Sequence, residues 1–303
     1  MQFIFEAEAR RASLQDSIFV MDDIADSFDY QNKYAIIEYI KDLAEKANGK
    51  FYMLILTHNY DFYRTVSSRL SLNRDNLWMI ERNENGELSI NQGQYKGDIY
   101  SNVFIGHDDE DKTFISMIPF VRNLVEYTKG SQSDDYMTLT KCLLLKPGSN
   151  DVAENEVINI IKNYTQNKGT KRSASTNKII DLIKNTADGI AQESSPDCIL
   201  IQNKIVLSMA IRLKAEQYLH DKLIQAGKTE EELSSVKGAQ TGTWTGWYNK
   251  FCPNDDNKYI IERVNIMTPE AIHINSFMFE PLIDMSIYHL VALYNDCKDK
   301  LNI

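Results

Sequence analysis

The residues of this chain best suited to chemistry lie within one stretch, Ser17 to His58. Two adjacent carboxylates, Asp22 and Asp23, end an apolar run, Ser17-Ile18-Phe19-Val20-Met21. An imidazole, His58, closely follows a second run, Phe51 to Leu56. Between them lie a small polar turn, Ile24 to Asp29, and an amphipathic segment, Tyr30 to Ala47. Apolar runs of this length, bounded by turn signals, predict fully buried strands of a parallel sheet. The segment between them predicts a crossover helix, so the stretch reads as a βαβ unit. Ligands bind outside the carboxyl ends of such strands. Asp22, Asp23 and His58 would all stand at that edge, in the outline of an active site.

With those residues in view, the stretch resembles the C-terminal half of an ABC-type ATPase domain, of the SMC and RecF kind. In that family a strand ends in Asp followed by an acidic residue, a D-loop comes next, and the following strand ends in a switch histidine. The resemblance implies ATP and Mg²⁺ as cofactors. It makes Asp22 the Walker B aspartate, acting on the metal through a coordinated water. Asp23 would position or deprotonate the attacking water, although the family normally carries Glu there. Asp26-Ser27-Phe28-Asp29 matches the D-loop, with Asp26, Ser27 and Asp29 as its nucleotide-side residues, and His58 would reach the γ-phosphate. An ordinary βαβ unit with a solvated acidic turn is the competing reading.

The same family needs a Walker A loop and a signature loop, and no G-x-x-x-x-G-K-[ST] occurs here. Met1 to Arg11 reads as a helix, which the resemblance equates with the one after the signature loop. The expectation is therefore that the start is internal to a longer gene, or that the other half is a separate chain. The expected partners are that Walker A half or a second copy, in a bacterial phage-defence or DNA-repair system whose wider assembly handles DNA or tRNA. Alone, the chain is expected to be inactive. Two alternatives stand beside this: a degenerate domain that only docks a partner protein, and a helical RNase of the HEPN kind using Arg212 and His220.

Composition narrows the field. With 303 residues, 43% of them hydrophobic, the chain is long enough for a sizeable core. No apolar run approaches a membrane span and no signal peptide is visible. Four dispersed cysteines without a C-x-x-C pair argue against structural zinc and disulfides, and fit a reducing cytoplasm. A net charge of −10 disfavours bulk affinity for nucleic acid.

The elements that must position the acidic edge follow from patterning. Tyr60 to Leu70 has helical spacing, with Arg64 read as a solvated face residue. Leu77 to Ile80 and Leu88 to Ile90 flank Asn85-Gly86, which predicts a hairpin closing the sheet edge. His107 to Asp111 could be a metal site, but reads better as a polar loop charging the next helix start. Beyond it, helices are expected over 114–128, 136–145, 155–164, 179–190, 199–224 and 276–301. Asn167 to Asn177 is the best linker, with Lys168, Lys171 and Arg172 solvated. Thr229-Glu230-Glu231-Glu232 predicts a capped helix start. Trp244, Trp247, Tyr248 and Phe251 read as packing, and His273 as a capping or core histidine. The stretch Thr268 to Pro281 resembles bacterial P-loop ATPases of anticodon-nuclease and phage-defence systems. The expected organisation is an α/β part over 1–106, with a partial P-loop sheet, βαβ unit and hairpin. A mostly helical region follows over 107–303, with a loop break near 167–177.

Overall fold

The computed structural model describes residues 2–13, 15–24, 30–46, 49–82, 87–93, 107–165, 171–193, 201–268, 282 and 285–301. The chain divides into two compact units, Met1–Ile80 with Ile90–Ile99 and Glu81–Ser89 with Tyr100–Ile303. The expected boundary at 106 lies outside the described residues.

In the first unit β1 (Ser17–Asp22) and β2 (Phe51–Leu56) pair in parallel, from Ser17 opposite Phe51 to Asp22 opposite Leu56. The crossover is α2 (Tyr30–Lys46), flanked by α1 (Gln2–Ala12) and α3 (Tyr60–Arg69). Phe19 and Met21 from β1 join Ala7, Ile37, Ile40, Leu43 and Phe62 in one core. The strands are not buried on both faces, as their apolar runs predict. Ile18, Val20, Tyr52 and Leu54 are 76%, 61%, 63% and 52% exposed. Side chains alternate across a strand, and among the described residues helices cover only the Phe19–Met21 face.

The hairpin strands β3 (Trp78–Arg82) and β4 (Leu88–Gln92) form a two-stranded sheet of their own rather than an edge of the first. At its base the Gly93 amide donates to the Leu77 carbonyl. A Cβ on Gly93 would lie 2.5 Å from the Tyr63 hydroxyl and 2.9 Å from the Leu77 carbonyl carbon. Only glycine admits that approach.

The second unit is helical: α4 (Asp111–Lys129), α5 (Asp134–Lys141), α6 (Glu154–Tyr164), α7 (Ile179–Gln192), α8 (Ile201–Gln225), α9 (Glu230–Ser234), α10 (Gln240–Phe251), α11 (Lys258–Met267) and α12 (Ile287–Lys300). The chain as a whole is therefore mostly helical, with a small α/β part at its N-terminal end. Helix α8 is the axis, packed by α4, α7, α10, α11 and α12. Its interior positions are not all apolar: Lys204, Arg212 and Glu216 are buried with the aliphatic residues. Over 201–213 every residue is buried, so this stretch of the helix has no solvated face to give its charges. Glu216 instead accepts from the Leu145 amide at 2.6 Å, from Gln240 Nε2 at 3.0 Å and from the Thr241 hydroxyl.

The expected linker is also tied down where it is described. The Lys171 and Arg172 amides donate to the buried Asp108 carboxylate at 2.9 and 3.3 Å. Arg172 pairs with Asp111 at 2.8 Å and with Glu154 at 3.1 Å, its guanidinium over the Phe114 ring. The acidic run at 107–111 thus does two jobs. Asp111 sits in the first turn of α4, where the helix dipole favours it, and Asp108 anchors the segment from 171.

Candidate functional site

The acidic edge is built by strand register and one unusual backbone angle. Asp22 is the last residue of β1, paired with Leu56, and its side chain is exposed. By alternation it shares the open face with Ile18 and Val20. Asp23 follows at φ +45°, a left-handed conformation that Asp tolerates better than most residues. Its amide still donates to the Leu56 carbonyl at 3.0 Å, which keeps it attached to the end of β2. The reversal swings its carboxylate across the strand ends to His58.

There Asp23 Oδ1 lies 2.9 Å from His58 Nδ1 and accepts the His58 amide at 3.3 Å. The histidine precedes a well-formed helix start. Asn59 Oδ1 accepts the Phe62 amide at 2.8 Å as the N-cap of α3, and the Asn59 amide donates to Thr57 Oγ1 at 3.0 Å. Capping fixes where α3 begins, and so fixes the short connection carrying His58. Both partners remain largely exposed. The sequence reading thus finds Asp23 and His58 together, with Asp22 one residue away on the open face. The D-loop residues Asp26, Ser27 and Asp29 lie outside the described residues.

What this edge can do is bounded by its donors. Among the described residues no three His, Cys, Asp or Glu groups converge to hold a metal ion. Asp22 alone suits Mg²⁺, which takes one or two carboxylates and fills its other positions with water and phosphate oxygens. The Asp23–His58 pair suits orientation of a water or a phosphate oxygen by hydrogen bonding. Phosphates are served less well, because the sequence lacks the glycine-rich cradle and its lysine.

The other sequence candidates sort by burial. Arg64 is exposed. Arg212 is wholly buried, with Nη1 3.4 Å from Asn265 Oδ1, and cannot meet an RNA strand there. His220 is held between Asp221 at 3.0 Å and Glu230 at 3.1 Å. Burial alone would lower its pKa, but its hydrogen bonds to the two carboxylates hold it above the ordinary imidazole value. Trp244 and Tyr248 are core residues, while Lys228 stands over the Trp247 ring at 4.6 Å. His273 and Lys168 lie outside the described residues. No described helix is long and apolar enough to cross a membrane.

The site defines a parallel βαβ unit with a carboxylate–imidazole pair at the carboxyl end of its strands. No family model, curated protein or solved structure matches the chain.

Proposed function

We propose that the first unit carries the Walker B, D-loop and switch-histidine side of an ABC-type ATPase site, which a Walker A segment outside these residues completes. The observation that carries this reading is the Asp23–His58 pair, with Asp22 beside it, at the carboxyl end of a parallel βαβ pair. Asp22 would hold Mg²⁺, with ATP supplying the phosphoryl group. Asp23 would orient the attacking water, and its grip on His58 sets the imidazole at the same edge. Catalysis of this kind is mostly positioning and charge stabilisation, so half a site binds and turns over poorly. The partner is the Walker A half or a second copy of a complete domain. The setting is a cytoplasmic phage-defence or DNA-repair system, a reading supported by sequence resemblance alone.

The open sheet face supports the same reading. Ile18, Val20, Tyr52 and Leu54 form an apolar patch beside Asp22, and such patches mark interaction surfaces. In an ATPase of this class a further helix and strands would cover it. The patch also favours a second reading, a docking module that retains the fold without hydrolysis.

The test is equilibrium binding of labelled Mg·ATP, first to the chain alone and then to an assembly with a Walker A-bearing partner encoded beside it. The chain alone should show no saturation up to about millimolar nucleotide, a limit near −4 kcal/mol. The assembly should bind, and Asp22→Ala should weaken it in the presence of Mg²⁺. Assembly without nucleotide binding would favour the docking module. Binding indifferent to Asp22→Ala would sink the metal assignment.

A further inference from the structure

The second unit contains a groove that the N-terminal reading does not use. Its first part is a cavity of about 160 Å³ lined by Lys184 of α7, by Lys214, Gln217 and Asp221 of α8, and by Leu145 and Asn150. Its second part, about 220 Å³, shares Leu145, Asn150 and Gln217 and extends to Pro147, Leu233 and Trp244. Neither part alone reaches the roughly 300 Å³ of common small-molecule sites, but the joined groove does.

Its charges are unevenly satisfied. Lys184 and Lys214 make no ion pair among the described residues, although carboxylates lie close by. Asp188 is taken by Lys298 at 2.6 Å and by the Tyr294 hydroxyl at 2.9 Å. Asp221 is taken by His220 at 3.0 Å and by Gln217 Nε2 at 3.0 and 3.1 Å. Two ammonium groups therefore line one small cavity, and the carboxylates of Asp188 and Asp221 beside them are already engaged by other donors. Burial, and then the charge of Lys184, hold the Lys214 ammonium below its usual range. A bound anion would relieve that repulsion. In the second part the Trp244 side chain is buried, and its Nε1–H has no hydrogen-bond partner among the described residues. Buried indole N–H groups usually find an acceptor.

We infer that this groove binds a compact organic phosphate monoester, its phosphate between Lys184 and Lys214 and its organic part against Leu145, Leu233 and Trp244. Two ammoniums match the double charge of a phosphate monoester, and the Asn150 amide adds a donor. The organic part fills the apolar end against Leu145, Leu233 and Trp244. Lys214, Gln217 and Asp221 reach the groove together because their spacing of three and four residues puts them on one face of α8.

The test uses the full chain in chloride buffer, titrated calorimetrically with phenyl phosphate, inorganic phosphate and phenol. Phenyl phosphate should bind more tightly than inorganic phosphate, and phenol should not bind. Lys184→Met and Lys214→Met should each weaken both phosphates about tenfold or more, as expected for loss of a charge-assisted hydrogen bond. Trp244→Phe should weaken phenyl phosphate and leave inorganic phosphate unchanged. Lys184→Met sits at a partly exposed position, so it tests the idea even if a buried substitution fails to fold. No binding at about 10 mM of either phosphate, weaker than a −3 kcal/mol interaction, would overturn the inference. So would affinities that ignore both lysines. Equal affinity for the two phosphates would overturn the organic half of it.

Discussion

Asp23 and His58 share one carboxylate oxygen in two ways: Oδ1 meets the imidazole Nδ1 at 2.9 Å and accepts the His58 amide at 3.3 Å. Two residues from different strand ends are thereby fixed as one unit, although both side chains face solvent. The pair is worth little for stability, since exposed ion pairs typically contribute up to about 1 kcal/mol. Its value is in position.

Asp23→Ala removes both contacts and, on the proposed function, the carboxylate that would orient water. In a complete ATPase assembly, turnover should fall by about two to four orders of magnitude, the usual range for losing a general base. Nucleotide affinity should change little. A phosphate-release assay beside a binding titration separates the two, and surviving turnover would remove Asp23 from the role of base.

Glu216→Ala should be among the most destabilising single changes in the second unit. It takes the acceptor from the buried Leu145 amide and removes contacts to Gln240 Nε2 and the Thr241 hydroxyl, although Gln240 keeps the Leu145 carbonyl at 2.8 Å. At roughly 1–3 kcal/mol per buried unsatisfied group, a loss of about 1–3 kcal/mol is expected in urea unfolding. Glu216→Gln keeps an acceptor and should cost less.

Two groups should shape stability against pH from opposite sides. Burial alone would raise the Asp255 carboxyl, but Lys222, the Tyr218 hydroxyl and the Asn257 amide hold it at about 2. Its unfolded value is about 3.9. The contribution is therefore complete above about pH 4 and is lost as pH falls toward 2. His220 is shifted upward, so its contribution is complete below about pH 6.5 and lost as pH rises through its folded value. Urea midpoints measured across pH should show Asp255→Asn flattening part of the acid limb. His220→Gln should flatten part of the alkaline one.

Gly93→Ala should destabilise the first unit, because the new Cβ would sit 2.9 Å from backbone at Leu77 and 2.5 Å from Tyr63 Oη. Overpacking of this kind costs about 1–3 kcal/mol. If thermal unfolding is unchanged, the hairpin base moves away from α3 more easily than its hydrogen bond suggests.

The parts of this fold legible in the sequence are those set by local pattern. Ser17 to Asp22 and Phe51 to Leu56 are strands because short apolar runs end at turn residues, and Tyr30 to Lys46 is the helix between them. Thr229 caps α9 with Glu232, its amide donating to Oε2 at 2.9 Å, as the spacing predicts. Side-chain surroundings were not legible. An apolar run looks alike whether one face or both are covered, so the openness of Ile18 and Val20 was invisible. A basic, small-residue segment looks mobile until Asp108, Asp111 and Glu154, each distant in sequence, are seen to hold Lys171 and Arg172. Helices α10 and α11 are not among those expected from patterning, although Ile260, Ile261 and Val264 of α11 repeat at helical spacing and are buried. At the candidate site the order of Asp22, Asp23 and His58 carried the signal. The left-handed turn at Asp23, which makes the contact with His58, depends on backbone geometry that no residue pattern there announced.

The enclosure of Lys204, Arg212 and Glu216 on α8 has a consequence for alignment. An all-aliphatic axis could slide by a turn or rotate against its neighbours and still bury similar surface. An axis bearing interior charges cannot, because each displacement strands a charge away from the groups that satisfy it, at a cost of several kcal/mol. Glu216 ties the 145 connection and the first turn of α10 to a single azimuth of α8. The helices that meet there are keyed to one register, and loosening any one of them exposes the same carboxylate.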